Sequence, residues 1–513
     1  MPSDLKELVG PLGNLISRQA ARYGSKTLFE CQGVRRTYAE FDERTTRLAG
    51  GLQDLGVRPG DKVACYMPNS IELIEAYYAT SKAGAVTVFL NALLTAREIR
   101  FVLQDSDTKV IVTAPGLLPN VQEVRADARR LETVVVHGAP VSPGAVRFDD
   151  LLTRGAYQAV PVKTEDVAWL GYTSGTTGQP KGAILTHRGA THVAAVVAER
   201  FGYREDDVVL CALPLFHSYA VNSCMIQVMM AGASQVILER FTPDGVLRAI
   251  QDHRVTLFPG VPTMFNYLVN VPDRARYDLT SLRICKSAGA VLPAKLMHDF
   301  EKLYGVPLVD GYGITEAHSF VTLNDPRGRR PDGSCGKPID GVEVRIVDQD
   351  DRDVPAGERG ELVFRGPNLP LGYVNAPAAT AEALRGGWYH SGDVAHVDAE
   401  GFVYIVDRIK DTIICGGYNI YPKEVEDVIY AHPAVLDVAV VGVADEAKGE
   451  IPKACVVLKP AAAVTAAELE AHCRQSLAAY KVPRVIEFLD TIPKTASGKT
   501  KRFLLRQDAN APS

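Results

Sequence analysis

Short apolar runs alternate with helix-like stretches through most of the chain. KVACYM, AVTVFL and KVIVTA, which begin at residues 62, 85 and 109, are apolar runs with the length of buried strands. IELIEAYYATSK, residues 71–82, has the spacing of an amphipathic helix and is followed by Ala83 and Gly84. This alternation predicts α/β units with largely parallel sheets, which bind ligands in the loops after the carboxyl ends of their strands.

The pattern changes after Asp407 and Arg408, where a smaller unit begins. KEVEDVIYAHP and TAAELEAHCRQSLA are typical of helices, and the second opens with Thr465 and Glu468, the residues of a capping box. VLDVAVVGV, KACVVLKP and VIEFLD are typical of strands. We therefore predict an α/β protein with a large N-terminal domain of α/β subdomains, residues 1–407, and a small mobile α+β domain, residues 408–513.

Composition narrows the class of protein. Hydrophobic residues make up 46% and charged residues 23% of the 513 residues, and the net charge is −5, which disfavours a dedicated nucleic-acid binder. Nine cysteines without a C-x-x-C pair, and an N-terminus without a signal-type apolar core, favour the cytoplasm. Ala220–Leu238 carries no charge but contains several polar residues and Gly232, so we expect a buried helix and strand rather than a membrane span.

One loop has the composition of a phosphate-binding site. YTSGTTGQPKG, Tyr172–Gly182, follows the apolar run DVAWLGY. Gly175 and Gly178 let backbone N–H groups approach an anion, hydroxyl side chains add donors, and Lys181 adds a positive charge. It is not a Walker A loop, because proline precedes this lysine and glycine follows it.

Five further strings accompany that loop in a fixed order. They are LPLFHSYA at Leu213–Ala220, DGYGITEA at Asp310–Ala317, WYHSGDVA at Trp388–Ala395, VDRIKDTIICGGYNIYPKEVE at Val406–Glu426 and PKTASGK at Pro493–Lys499. Together with YTSGTTGQPKG they resemble the signatures of the adenylate-forming superfamily, which contains acyl- and aryl-CoA ligases, firefly-type luciferases and nonribosomal adenylation domains. The resemblance implies ATP, Mg²⁺ and coenzyme A as cofactors. It also implies a carboxylic acid as substrate, converted first to acyl-AMP.

The resemblance also implies roles for individual residues. Lys499 would be the adenylation lysine, Lys181 and Thr315 would contact phosphates, and His217 would stand beside the acyl pocket. Glu316, with Thr173, would hold Mg²⁺. The remaining nucleotide and CoA contacts would come from Ser174, Gly175, Thr176, Thr177, Gly178, Gly289, Ala290, Asp310, Gly311, Tyr312, Gly313, Asp393, Arg408, Lys410, Gly416, Gly417 and Tyr418.

Several of these residues have specific expected tasks. Tyr312 would stack on the adenine, while Asp393 and Arg408 would bind the ribose. Lys410 would be the hinge about which the small domain rotates. After rotation the glycines of the GGYN loop, Gly416–Asn419, would line a tunnel for the CoA thiol.

The nature of the acid is less sharply defined. Ser218 stands after the motif histidine where nonribosomal adenylation domains place an aspartate, which disfavours an amino acid. The expected pocket lining contains neither lysine nor arginine, which favours an alkyl or aryl tail. It comprises Tyr219, Val221, Asn222, Met225, Phe258, Pro259, Gly260, Val261, Met264, Ala288, Gly289, Ala290 and His318.

FPGVPTMF and GGYNIYPKEVE are similar to bacterial medium- or long-chain fatty-acyl-CoA ligases, so a fatty acid is favoured and an aromatic acid is the alternative. Val221 stands where some long-chain enzymes carry a gating tryptophan, which leaves the chain length open. An acyl-AMP ligase that loads a carrier protein, a non-catalytic nucleotide-binding homologue and luciferase-like oxygen chemistry are further alternatives. We expect a monomer or homodimer whose partners are the acid, ATP and CoA, without nucleic acid or an integral membrane segment.

Overall fold

A computed structural model describes residues 5–138, 143–173, 180–446, 448–495 and 499–507. These residues form two large, mainly parallel sheets, a small antiparallel sheet and a C-terminal sheet. The α/β class expected from the alternation of apolar runs is confirmed. The strands predicted from KVACYM, AVTVFL and KVIVTA are Lys62–Tyr66, Val86–Phe89 and Thr108–Thr113.

The first large sheet is parallel in its centre and antiparallel at both edges. Its strands, in spatial order, are Lys337–Pro338, Thr322–Leu323, Leu308–Tyr312, Ile284–Ser287, Leu257–Gly260, Val208–Cys211, Ser234–Ile237, Thr27–Cys31 and Val34–Thr37. The carboxyl ends of the central strands lead into the loops that carry the LPLFHSYA and DGYGITEA motifs.

The second large sheet carries the phosphate-loop motif at one edge. Its strands, in spatial order, are Val146–Arg147, Thr133–Val136, Thr108–Thr113, Lys62–Tyr66, Val86–Phe89, Val167–Thr173 and Lys181–Thr186. The last two strands pair antiparallel, and Thr173 lies opposite Lys181 at the open end of this pair.

Helices cover and separate the two sheets. They are Leu12–Tyr23, Tyr38–Asp54, Ile71–Lys82, Ala96–Asp105, Leu118–Val124, Phe148–Leu151, His187–Phe201, Ser218–Ala220, Gln227–Ala231, Pro243–His253, Pro262–Val269, Ala294–Tyr304 and Pro377–Ala383, followed by Pro422–Tyr430, Ala466–Arg474 and Arg502–Gln507 in the C-terminal part. Shorter 3₁₀ turns occupy Leu5–Leu8, Arg274–Arg276, Thr315–Ala317, Arg385–Gly387 and Ile409–Asp411.

One helix differs from its sequence pattern. Ile71–Lys82 was expected to be amphipathic, yet residues on every face of it are buried, including Glu75. The helix packs against Thr27–Cys31 of the first sheet and against Lys62–Tyr66 of the second, so it has no solvent face. Arg44 Nε lies 2.6 Å from the Glu75 carboxylate and supplies the pairing that a buried charge requires.

The uncharged stretch 220–238 is a buried helical segment followed by a buried strand, as its composition predicts. Helical backbone continues through Val221–Ile226, which has wider π-type hydrogen bonding, and ends at Gly232 in the left-handed region. The strand Ser234–Ile237 then joins the first large sheet. Within the described residues, no helix combines the length and apolarity needed to cross a bilayer.

The small antiparallel sheet joins the large sheets to the C-terminal unit. Its strands are Glu343–Val347, Gly360–Arg365, Tyr389–Val397 and Val403–Arg408. The C-terminal sheet contains Tyr418–Ile420, Ile413–Cys415, Gly449–Leu458, Val435–Asp445 and Val485–Phe488. The turn Ile409–Asp411 connects the two sheets. The capping box expected at Thr465 is present, because its backbone N–H donates to Glu468 Oε2 at 2.7 Å and its hydroxyl accepts from the Glu468 N–H at 3.2 Å.

Candidate active site

The site begins at the strand pair that carries the phosphate-loop motif. Thr173 and Lys181 stand opposite each other where the two strands end. The loop residues expected to contact phosphates lie outside the described residues; they are Ser174, Gly175, Thr176, Thr177 and Gly178. The Lys181 ammonium is half-buried and lies 5.6 Å from the centre of the Tyr373 ring. The face of an aromatic ring attracts a cation at this distance.

Tyr373 links this lysine to the predicted metal ligand. Its segment runs along the edge strand Lys181–Thr186, because the Ile184 N–H donates to the Gly372 carbonyl at 2.9 Å. The Tyr373 hydroxyl donates to Glu316 Oε1 at 3.1 Å and lies 2.8 Å from the Tyr389 hydroxyl. The ring therefore fixes Glu316 while its face carries the ammonium of Lys181.

Glu316 presents its carboxylate beside a second oxygen. Thr173 Oγ1 lies 3.3 Å from Glu316 Oε1, and the glutamate is 8% exposed. The neighbouring Thr315 hydroxyl lies 3.3 Å from Ser218 Oγ, which follows the motif histidine. Carboxylate and hydroxyl oxygens suit Mg²⁺, which commonly takes one or two protein carboxylates and completes its shell with phosphate oxygens and water. In the described part of the chain, no cluster of three or more His, Cys, Asp or Glu residues is arranged to hold a metal without a substrate.

The turn that presents Glu316 depends on a close backbone approach. A Cβ atom at Gly313 would lie 1.5 Å from the carbonyl oxygen of Ser319, so only glycine fits. The chain then returns through the short 3₁₀ turn Thr315–Ala317. Gly311 is similarly enclosed, since its Cβ would lie 2.6 Å from the Leu323 side chain. The glycines of DGYGITEA therefore shape the turn around the carboxylate.

A second group of side chains meets at Asp393. Tyr312 donates from its hydroxyl to Asp393 Oδ2 at 2.5 Å, and Arg408 Nε lies 3.0 Å from Asp393 Oδ1. Asp393 and Arg408 are directly opposite each other in neighbouring strands. The charge of Asp393 raises the pKa of the Arg408 guanidinium. The three residues predicted to bind adenosine thus form one connected group.

Asp310 lies in the middle of the strand Leu308–Tyr312, two residues before Tyr312. It is 8% exposed, and burial raises the pKa of its carboxyl to about 8. Asn324 donates from its side-chain amide to the Asp310 carbonyl oxygen at 3.1 Å. The carboxyl of Asp310 is therefore largely protonated at neutral pH and is able to donate a hydrogen bond.

His217 begins the helical segment that follows LPLFHSYA. Its Nδ1 accepts from the backbone N–H of Tyr219 at 3.2 Å. Burial, with a contribution from the positive charge of Lys499, lowers the pKa of His217 to about 3. The imidazole is therefore neutral at physiological pH, which suits a positioning role better than that of a proton donor.

Lys499 reaches the same cleft from the C-terminal unit. The residue is half-buried, and its loop is closed by the Thr495 N–H, which donates to the Lys499 carbonyl at 2.7 Å. Burial and then the charge of Arg408 lower the pKa of the Lys499 ammonium, while Asp393 and Glu316 oppose that change. These mutual effects show that the folded chain brings Lys499 within electrostatic range of the adenosine and metal-ligand groups.

A narrow cavity opens beside His217. It has room for about 10 Å³, roughly one water molecule. Its wall consists of Leu213, Pro214, His217, Tyr219, Ala220, Val261 and Gly289. Tyr219, Val261 and Gly289 are members of the expected lining. His318 lies elsewhere, with its ring 6.3 Å from that of Trp169 and against Gly189.

Some predicted site residues lie on the surface of the C-terminal unit. Tyr418 is 61% exposed and stacks on Tyr480, with ring centres 4.9 Å apart. Gly416 and Gly417 have φ values of 57° and 83°, with no atom within 4 Å of an added Cβ. Lys410 is exposed in the turn Ile409–Asp411, and Ala290 is exposed as well. The present orientation therefore brings Lys499, but not the GGYN loop, to the cleft.

Sequence analysis missed two residues that the fold brings to the site. Lys286 is fully buried behind Tyr219, whose hydroxyl donates to the Lys286 carbonyl at 2.8 Å. The Lys286 ammonium donates to Gln227 Oε1 at 2.7 Å, and burial lowers its pKa to about 7. A lysine inside the apolar strand ICKS was the available signal. No sequence signal pointed to Tyr373, because only the fold brings it to Glu316.

Comparisons with known proteins identify the family of the chain. A model of the AMP-binding enzyme family matches residues 16–374, and one of the AMP-binding enzyme C-terminal domain matches residues 424–499. A feruloyl-CoA synthase from Amycolatopsis sp is 40% identical, over 97% of this chain and 98% of the relative. A long-chain-fatty-acid–CoA ligase from Bacillus subtilis (strain 168) is 36% identical, over 97% of this chain and 94% of the relative. The crystal structure of an anthranilate CoA ligase in complex with anthranoyl-AMP matches with a TM-score of 0.94 at 32% identity, over 99% of both chains.

Proposed function

Because the chain belongs to the AMP-binding enzyme family and is an AMP-forming acid–thiol ligase, we propose that it activates a compact aromatic carboxylic acid with ATP and transfers the acyl group to coenzyme A. The observation that carries the choice of acid is the buried Lys286, whose carbonyl accepts from the hydroxyl of Tyr219 in the cavity wall and whose amine donates to Gln227. The residues of the cleft account for the two chemical steps.

In the first step an oxygen of the acid's carboxylate attacks the α-phosphorus of ATP. The bond to the β,γ-phosphates breaks, and acyl-AMP and pyrophosphate form. Two anions must approach each other, so the protein's task is positioning and charge neutralisation. The ammonium of Lys499 neutralises negative charge on the carboxylate and the α-phosphate, and that of Lys181 neutralises charge on the departing phosphates. The neutral ring of His217 orients the acid beside them.

Glu316 and Thr173 are the residues that would hold Mg²⁺ on the ATP phosphates. The ion, when bound, supplies further neutralisation of phosphate charge. Tyr373 keeps the carboxylate of Glu316 in one orientation through its 3.1 Å hydrogen bond. The nearby Thr315 hydroxyl is available to the α-phosphate.

Adenosine is held by the group around Asp393. Its carboxylate accepts hydrogen bonds from the ribose hydroxyls, and Arg408 orients it from 3.0 Å away. Tyr312 stacks on the adenine while its hydroxyl stays bonded to the same carboxylate. One carboxylate thereby fixes both halves of the nucleoside.

In the second step the thiol sulfur of CoA attacks the acyl carbon and loses its proton to water. The bond from the acyl carbon to the phosphate oxygen breaks, and AMP leaves with its electron pair. We propose that residues 408–513 rotate about Lys410 as a domain against residues 1–407 for this step. The turn Ile409–Asp411 is short and exposed at this point, as a hinge requires. Rotation withdraws Lys499 and brings Gly416, Gly417 and Tyr418 to the cleft.

The acyl cavity supports a compact acid. Tyr219 forms part of its wall and donates to the carbonyl of Lys286, whose buried amine donates to Gln227 and to the Tyr203 hydroxyl. An alkyl tail that entered this polar group would separate its members and leave buried hydrogen-bonding groups without partners, which is costly. A hydroxyl or methoxy group on an aromatic ring would instead offer an oxygen to the amine.

A long-chain fatty acid, which the sequence motifs favour, is the second candidate. It is supported by the 36% identity to the long-chain ligase from Bacillus subtilis (strain 168). The two candidates differ in how far the wall of the cavity must move. Because the cavity has room for only about 10 Å³, both acids require its wall to move, but an aromatic ring requires only a local widening, whereas a long tail requires a channel past Tyr219.

The test is a substrate panel with the purified full chain, ATP and Mg²⁺. Acids of hydroxycinnamate, benzoate, octanoate and palmitate type are compared, with and without CoA, by the AMP, pyrophosphate and thioester formed. We expect acid-dependent AMP and the highest kcat/KM with a ring-hydroxylated acid. ADP as the nucleotide product, or no acid-dependent turnover, would contradict the reaction. A higher kcat/KM with palmitate would select the second candidate.

Lys286→Met tests the role of the buried amine in choosing the acid. We expect kcat/KM for a hydroxylated aromatic acid to fall roughly 10–100-fold, because the ring oxygen loses its donor. The unsubstituted ring analogue should change by less than about threefold. Equal changes for both acids would show that the amine does not contact the substituent.

The same variant gives a stability measurement that needs no substrate. The pKa of Lys286 falls from 10.5 to about 7 in the folded protein, so the unfolded chain binds more protons between these values. Folding of the wild type therefore gains about 2 kcal/mol between about pH 7 and pH 9, relative to Lys286→Met. Urea unfolding of both proteins at the two pH values measures the difference. Parallel pH profiles would contradict the buried position of the amine.

A further inference from the structure

The loop that carries Lys499 is anchored at its base by another lysine of the same motif. Lys494 pairs with Thr500 in an isolated antiparallel bridge, and the Lys499 N–H donates to Thr495 Oγ1 at 3.0 Å. The Lys501 N–H donates to the Pro493 carbonyl at 2.8 Å. The described residues on either side of 496–498 are therefore bonded to each other, so a contact that holds Lys494 also restrains Lys499.

Lys494 bonds to both parts of the chain. Its ammonium lies 2.5 Å from Asp437 Oδ2, within the C-terminal sheet. It also donates to Thr263 Oγ1 at 3.1 Å, in the first turn of the helix Pro262–Val269, which we call the boundary helix. The lysine and Asp437 are only 20% and 28% exposed, so water screens the contact weakly. Val261, two residues before Thr263, lines the acyl cavity.

A second contact continues along the same side of the boundary helix. Asn266, one turn after Thr263, donates from Nδ2 to the Leu436 carbonyl at 2.9 Å. Its Oδ1 accepts from the Tyr430 hydroxyl at 3.0 Å. Leu436 precedes Asp437, so both contacts secure the same end of the strand Val435–Asp445.

We propose that Lys494 is a positioning residue that ties the loop of Lys499 to Thr263, so that the boundary helix selects the domain orientation in which acyl-AMP forms. The inference rests on the role of Lys499 in the proposed function. Rotation of the C-terminal domain must break the bonds of Thr263 and Asn266, whereas the bond between Lys494 and Asp437 travels with the domain. The contacts of Thr263 and Asn266 therefore stabilise the domain orientation of the first half-reaction and oppose rotation out of it.

Thr263→Val tests the cross-boundary bond alone, because it removes the acceptor and leaves the C-terminal unit unchanged. We expect kcat for acyl-AMP formation to fall roughly tenfold, with KM for ATP and for the acid within about twofold. Thioester formation from supplied acyl-AMP should be unchanged or faster. Thr263→Ser, which restores the hydroxyl, should return kcat to within about twofold of the wild type. Pyrophosphate release measures the first half-reaction, and thioester yield measures the second.

Matched lysine variants separate positioning from general stability. Lys481 pairs with Glu424 at 2.6 Å within the C-terminal unit, with exposures of 15% and 31% that resemble those of the Lys494 pair. Lys494→Met should lose the first half-reaction at least as strongly as Thr263→Val, while Lys481→Met should stay within about twofold. Equal losses in both lysine variants, a Thr263→Val effect confined to KM, or a wild-type ratio of the two half-reactions would overturn the inference. A wild type without acid-dependent AMP formation would instead overturn the proposed function.

Discussion

Lys499→Ala is expected to reduce acyl-AMP formation about 10³-fold, while thioester formation from supplied acyl-AMP changes by less than about threefold. The half-buried ammonium stands within electrostatic range of Asp393 and Glu316, where the nucleotide is proposed to bind. Without this positive charge, the repulsion between the carboxylate and the α-phosphate raises the activation barrier. Rapid-quench measurement of acyl-AMP, and of thioester from purified acyl-AMP, gives the two rates separately.

Lys501→Ala is the matched control for this change. Lys501 lies two residues further along the same loop, and its contact at 2.8 Å uses its backbone N–H, which the substitution preserves. Both half-reactions should stay close to the wild-type rates. If Lys499→Ala instead lost the two half-reactions equally, the lysine would serve folding or product release rather than adenylation.

Gly417→Leu is expected to give the opposite pattern, with the thiol step reduced about 10²-fold and acyl-AMP formation changed by less than about threefold. In the present orientation a Cβ at this glycine has no atom within 4 Å, so the side chain does not disturb the first half-reaction. After rotation the leucine would occupy the path of the thiol. Acyl-AMP should therefore accumulate on the enzyme when CoA is present.

Backbone strain must be separated from blockage, because Gly417 has a φ of 83° that favours glycine. Gly401 is a matched control, with a φ of 85°, open space around its Cβ and a position in the turn before Val403–Arg408. Gly401→Leu should carry the same conformational cost without changing the ratio of the two half-reactions. Unaltered CoA kinetics in Gly417→Leu would place the thiol path elsewhere.

Much of the secondary structure followed from local patterns. The apolar runs became buried strands, and the capping box of Thr465 begins a helix, because these features depend on neighbours within a few residues. The amphipathic pattern of Ile71–Lys82 was overridden, since a helix between two sheets has no solvent face. Local periodicity cannot reveal how many sheets a helix will contact.

The sequence by itself determined the family of this protein and the class of its reaction. Its short motifs hold the lysines, the glutamate and the aspartate proposed for that reaction, and Gly313 of DGYGITEA is required by a turn only a few residues long. Only the tertiary structure decided which side chains complete the site. Tyr373 meets Glu316, the carbonyl of Lys286 meets the Tyr219 hydroxyl, and Lys494 meets Thr263 across a separation of 231 residues. Such contacts arise from the packing of distant segments, which leaves no mark in the spacing of neighbouring residues.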